Sequence, residues 1–159
     1  MMIATNEHFF SENTDETRLY SIDQVAAQTG LTKRTLRYYE EMGLLPPTGR
    51  TEGNYRRYND EDIHRLEHIK KLRDLLGFSL ADIRDMLEVD DERGVLKEAY
   101  KQETDTATKI AQLERSDELI RHQLQMIEQK MAGLEQMRAT LEGNIERHEH
   151  KRQQLLDNL

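Results

Sequence analysis

From Thr104 to the C-terminal leucines the chain has no proline, and apolar residues return at seven-residue intervals. Leu113, Ile120, Ile127, Leu134, Leu141, His148 and Leu155 share one seam position. Ile110, Asp117, Leu124, Met131, Arg138, Ile145 and Arg152 share the other, and ten of the fourteen are apolar. Between them Glu, Gln, Lys and Arg are dense, the pattern of a coiled coil. A helix over Thr104–Leu156 would be about 80 Å long, against roughly 30 Å for the diameter of a small domain. No single small core can cover such a stripe, so it must pair with a second chain or fold back. We therefore assign Leu113, Ile120, Leu124, Ile127, Met131, Leu134, Leu141 and Ile145 to dimerisation. Asp117, Arg138, His148 and Arg152 are poor residues for a dry seam. They either pair across the interface or mark a contact shorter than the pattern, whose register does not decide strand direction. Gly133 and Gly143 each cost the helix about 1 kcal/mol relative to Ala, and mark a close crossing or a bend.

The rest of the chain has little apolar material to spend elsewhere. Of 159 residues 36% are hydrophobic and 34% charged, against averages of roughly 45–50% and about 25%. The core is therefore small. The absence of cysteine excludes disulfides, thiolate metal sites and cysteine nucleophiles. No apolar run approaches the ~20 residues of a membrane span, and the first eighteen residues, with four acids and one base, lack a signal-peptide core. A soluble cytoplasmic protein is expected. The net charge is −8, yet Leu31–Tyr58 holds six bases (Lys33, Arg34, Arg37, Arg50, Arg56, Arg57) against three acids. A locally basic face on an acidic protein suits site-specific DNA binding.

The local signals between Tyr20 and Val89 are those of short helices. Ser21 with Gln24 forms a capping box, Ile22, Val25 and Ala26 give one apolar face, and Gly30 ends the first helix. Thr32 caps a second, Lys33–Met42, stopped by Gly43; two short helices around a Gly-containing turn make a helix-turn-helix. Pro46, Pro47 and the turn formers of Thr48–Asn54 follow, and Leu44–Leu45 with Asn54–Tyr58 reads as two short strands of a wing. A third helix from Asn59 or Asp60 carries Ile63, Leu66, Ile69, Leu72 and Leu76 inward and ends at Gly77. Ser79 and Asp82 open a fourth with Leu80, Ile83, Met86 and Leu87 inward, and Gly94 reads as a loop or a weak helix start. Tyr39, Tyr58, Leu36, Leu44 and Leu45 are expected in the core; Lys70 and Arg73 either reach phosphate or stay in solvent.

Strung together, Tyr20–Ile22, Leu31–Glu40 (LTKRTLRYYE), Gly43–Pro46 (GLLP), Gly53–Tyr58 (GNYRRY), Asp62–Ile63, Leu66 and Gly77–Leu80 (GFSL) resemble the MerR family of transcription regulators over Leu19–Val89. The resemblance implies a mainly α fold: a winged helix-turn-helix domain with a small β wing, then a long C-terminal coiled-coil helix, antiparallel in its dimer. It implies a tail over 1–18, a DNA-binding domain over 19–89, a connector over 90–103 and a dimerisation helix over 104–159. It places the second helix in the major groove, with Arg37 and Tyr38 as main contacts, Lys33 and Arg34 beside them, and Thr32 capping and touching phosphate. Arg50, Asn54, Tyr55 and Arg56 of the wing would grip backbone or minor-groove edge. Arg suits guanine edges, while Tyr and Lys hold phosphates.

The implied function is sequence-specific regulation by a homodimer on a double-stranded promoter inverted repeat. The dimer distorts the DNA for RNA polymerase, or represses by occupying it. The alternative is an architectural or adaptor coiled-coil protein that binds DNA weakly. Nothing in the sequence marks an enzyme: no phosphate loop, nucleophile elbow or metal-ligand spacing is present. No cofactor and no membrane partner are expected. His64 and His68, four apart, and His148 and His150, two apart, read as exposed polar helix rather than metal ligands, and the chain offers no evident ligand domain after the long helix.

Overall fold

The computed structural model describes residues 18–46 and 57–159. Their order is β1 (Tyr20–Ser21), α1 (Ile22–Thr29), α2 (Lys33–Glu41), β2 (Arg57–Tyr58), α3 (Asp60–Lys70), a π-helical turn (Lys71–Leu75), α4 (Leu80–Gln102) and α5 (Thr106–Asp157). The mainly α architecture with a small sheet and a long last helix is the expected one. The chain divides into two compact units, residues 1–84 and 85–159.

In the first unit the caps act as the residue types predict. Ser21 Oγ accepts from the Gln24 N–H at 3.2 Å, and Gln24 Oε1 accepts from the Ser21 N–H at 2.8 Å. Gly30 closes α1 at φ 72°, a conformation that a side chain would strain. Thr32 Oγ1 then caps α2 by accepting from the Thr35 N–H at 3.1 Å. Asn59 and Asp62 form a second capping box at α3, where the three acids of the first turn face the positive end of the helix. Val25, Leu36, Tyr39, Leu44, Leu45, Tyr58, Ile63, Leu66, Ile69, Leu72 and Ile83 are buried as the core of this unit.

Two local expectations fail. Leu44–Leu45 is not a strand. Gly43 (φ 73°) ends α2 in a Schellman motif, in which the Leu44 N–H donates to Tyr39 O at 2.9 Å and the Gly43 N–H to Glu40 O at 3.1 Å. The Leu44 carbonyl accepts from Arg65 Nε. With both backbone groups committed, Leu44 has none for a ladder. β2 pairs instead, antiparallel, with β1, Tyr20 opposite Tyr58 and Ser21 opposite Arg57. Leu76 does not face inward, because the π turn inserts an extra residue per turn and rotates the side chains after it. Leu75 and Leu76 are exposed, and Phe78 is the next buried side chain.

In the second unit the expected connector is helix. α4 passes through Gly94, where a Cβ would meet nothing within 4 Å, and continues to Gln102. Glu103 Oε1 accepts from the Thr104 and Asp105 N–H groups, both at 2.8 Å, and Asp105 caps α5 by accepting from the Thr108 N–H and hydroxyl. These hydrogen bonds hold the carboxyls of Glu103 and Asp105 below their usual range. From Asp85 onward α4 runs back along α5 as an antiparallel hairpin: Arg115 reaches Glu92 at 2.8 Å and His122 reaches Asp85 at 2.9 Å.

Candidate nucleic-acid interface

At 100° per residue, Arg34, Arg37, Tyr38 and Glu41 fall on one stripe of α2, with Leu36 and Tyr39 on the opposite side. The structure respects this division. Leu36 and Tyr39 are buried, while Thr32, Lys33, Arg34, Arg37 and Tyr38 are exposed. Neither Arg34 nor Arg37 is engaged by another described side chain. The Tyr38 ring lies against the neighbouring Tyr39 ring, centroid to centroid 6.3 Å. Lys33 is ion-paired with Asp23 of α1, which offsets its charge and ties the start of α2 to the first helix.

Behind this face the helix is held from four directions. Arg73 Nη1 donates to the Tyr39 hydroxyl, and Tyr58 Oη donates to Glu40 Oε1 at 2.7 Å. Lys70 Nζ donates to Thr29 O at the end of α1, and Arg84 donates to Met42 O just past the end of α2. Lys70 and Arg73, equally readable as phosphate contacts or solvated charges, are therefore clamps on the motif. Burial pushes the Tyr39 phenol up, and the Arg73 guanidinium opposes that shift. The sequence carried no local sign of these clamps, because each partner lies eighteen or more residues away. Arg50, Asn54, Tyr55 and Arg56 lie outside the described residues. The strand that leaves the wing segment, β2, is pinned to the start of α1 by its pairing with β1.

A second surface lies on α5. Leu124, Ile127, Met131, Leu134, Leu141, Ile145 and Leu155 are 40% to 70% exposed. Ile120 is half-buried, and neighbouring Leu119, off the seam, is buried in its place. Leu113 is half exposed and lines a cavity formed with α4. The two ends of the expected seam thus differ: α4 flanks the first, and beyond Leu124 the apolar stripe is open. Among the described residues no group of histidines and acids could hold a metal ion, and no helix is long and apolar enough to cross a membrane.

Residues 20–89 match the family described as MerR HTH family regulatory protein. The HTH-type transcriptional regulator YfmP of Bacillus subtilis (strain 168) is 38% identical over 122 residues, 77% of this chain and 87% of that protein. The uncharacterized HTH-type transcriptional regulator YyaN of the same organism is 31% identical over 128 residues, 80% of this chain and 89% of that one. Among solved structures, HiNmlR, a MerR family regulator lacking the sensor domain and bound to promoter DNA, is 24% identical. It covers 72% of this chain and 79% of its own, with a TM-score of 0.44. The chain belongs to the MerR family of DNA-binding, helix-turn-helix transcription regulators, which are not enzymes.

Proposed function

We propose that two copies of this chain, paired through α5, bind an inverted-repeat promoter site in the bacterial cytoplasm. The bound dimer regulates transcription by distorting the DNA presented to RNA polymerase. The observation that carries the DNA contact is the Arg34, Arg37 and Tyr38 face: exposed, without a charge partner among the described residues, and backed by the buried, clamped inner face of α2. Arg37 reads a base edge and Tyr38 holds phosphate, with Arg34, Lys33 and Thr32 adding contacts around the start of α2. Arg50, Asn54, Tyr55 and Arg56 extend the grip to the neighbouring backbone.

The dimer rests on the open stripe of α5, which water would otherwise wet over several helical turns. A two-fold protein requires a two-fold site, and helix-turn-helix dimers place their half-sites about one DNA turn, roughly 34–36 Å, or multiples of it apart. Bending or twisting the spacer then makes DNA stiffness part of recognition.

The test is footprinting of the full chain on DNA upstream of its own gene, with excess random competitor at near-physiological salt, and then on genome-wide fragments. A protected, two-fold symmetric site between promoter elements, bound roughly 10³-fold or more over random DNA, is expected. Binding without sequence preference on every fragment would replace this reading with that of an adaptor.

A further inference from the structure

We propose that the two α5 helices pair in one antiparallel register, set by Asp117 of each copy meeting the partner's His148. This alignment presupposes the dimer proposed above and goes beyond it by fixing direction and register. Both seam rows lie on one unbroken helix, Thr106–Asp157. α4 covers a flank of that helix rather than the seam. Leu119 is buried, and Arg115, His122 and Gln123 are bonded to α4, whereas Ile110 and Leu113 stay half exposed. A second copy therefore has the whole seam to lie along.

Four seam residues are polar, and the fold separates them. Arg138 is satisfied within its own helix, its Nε 3.1 Å from Glu142 and its Nη1 3.7 Å from Glu135. Asp117, His148 and Arg152 are exposed and have no charge partner among the described residues. Parallel helices in register would set each of these against its own copy, leaving like charges together and short of water. The rim favours the other direction, since parallel helices would bring Lys109 and Lys130 near the partner's Glu114 and the partner's Glu135. Such exposed pairs contribute little. Lys109 also already lies 4.5 Å over the Tyr100 ring, and Glu135 already meets Arg138. The seam decides the direction.

Antiparallel helices set the row of Asp117 against the row of His148. Asp117 is the only acid of its row, and His148 the only polar residue of the other. A single register brings them together, with the imidazole donating a ring N–H to the carboxylate. The same register sets Ile110 on the partner's Leu155, Leu124 on the partner's Leu141 and Met131 on the partner's Leu134. None of the fourteen positions is left unmatched. A slip of one heptad sets Asp117 against the partner's Leu141 or the partner's Leu155 and bares the ends of the seam. Arg138 and Arg152 fall on the partner's Ile127 and the partner's Leu113, where their stems lie along apolar surface and their heads reach the rim. One polar layer in an apolar seam specifies alignment at some cost in strength.

The full chain has no cysteine, so introduced ones report alone. Leu124→Cys/Leu141→Cys should oxidise to a covalent dimer on non-reducing gels. The two sites lie about 25 Å apart along one helix, beyond the roughly 7 Å that a disulfide spans, so the bond must join two chains. Leu124→Cys alone, Leu141→Cys alone, Leu124→Cys/Leu134→Cys and Met131→Cys/Leu141→Cys should stay uncrosslinked. Charge reversal gives an independent readout by sedimentation. Asp117→Arg and His148→Glu should each raise the dimer dissociation constant at least tenfold, and the double variant should return to within threefold of the parent. Crosslinks in a single variant would mean parallel helices, and crosslinks in the last two pairs a slipped register; either overturns the alignment. So would a parent of twice the chain mass whose Leu124→Cys/Leu141→Cys variant forms no bond, or a double reversal that restores nothing. A monomeric parent mass would instead remove the dimer itself, which separates the two failures.

Discussion

Arg37 and Tyr39 stand two places apart on α2, about 200° around the helix, and have opposite duties. Tyr39 fills the core and receives a hydrogen bond from Arg73, whereas Arg37 projects outward with no described partner. Arg37→Ala should therefore weaken specific DNA binding by about 1–3 kcal/mol and leave the urea midpoint unchanged; fluorescence anisotropy with specific and random duplexes reads the first, a denaturant melt the second. Asp62 is a buried carboxyl with a stability signature in pH. It is buried beneath the α3 cap, and burial raises its carboxyl above 3.8 against the pull of its hydrogen bond with the Asn59 N–H. Because the folded chain binds this proton more tightly than the unfolded chain, the contribution is complete below pH 3.8 and is lost as pH rises through the raised value. Asp62→Asn keeps a hydrogen-bond acceptor and removes the titration. The stability of the variant relative to the parent should thus be higher at pH 7 than at pH 3.5 in paired urea melts. Equal differences at the two values would mean that Asp62 does not titrate differently on folding.

The elements differ in how they are stabilised. The short helices of the first unit are bounded by caps: Ser21, Thr32, Asn59 and Ser79 at N-termini, and Gly30, Gly43 and Gly77 in left-handed conformations at or near C-termini. Ser21→Ala should cost about 1 kcal/mol, since it removes the acceptor of the Gln24 N–H and half of a reciprocal pair; chemical denaturation checks it. The fifth helix has interior glycines. At Gly133 a Cβ would meet nothing within 4 Å, and at Gly143 only Arg147 Nη1 at 3.7 Å, an ordinary contact. Gly133→Ala should raise stability by about 0.5–1 kcal/mol per chain. A drop in melting temperature instead would mean that a second helix approaches closely at this glycine in the assembled protein.

At the scale of the molecule, the seam from Leu124 to Leu155 is the largest open apolar feature on α5. Its side chains are spaced for a partner helix. Light scattering at micromolar concentration should give twice the 18.8 kDa chain mass. Ile127→Glu should yield monomers and abolish operator binding at the concentrations where the parent saturates. A helical, monomeric variant that still binds the operator fully would separate DNA recognition from pairing.

What the sequence alone determined is whatever depends on neighbours within a few residues. The capping boxes, the left-handed glycines, the split of α2 into inner and outer faces and the long seam all arise from side-chain chemistry at spacings of two to seven. The family resemblance rests on short motifs of the same local kind. The misreadings came where a distant group claimed a backbone atom or turned a face. Leu44–Leu45 looked like a strand until the Schellman turn and Arg65 took its backbone groups, and Leu76 looked buried until a π turn rotated it outward. Gly94 read as a loop or a weak helix start because its helix penalty is local, whereas the helix also gains from packing against α5 that no short window can show. The clamps on α2 join residues between 18 and 42 positions apart. Only the folded chain brings such groups within hydrogen-bond reach, and so only the tertiary structure could decide them.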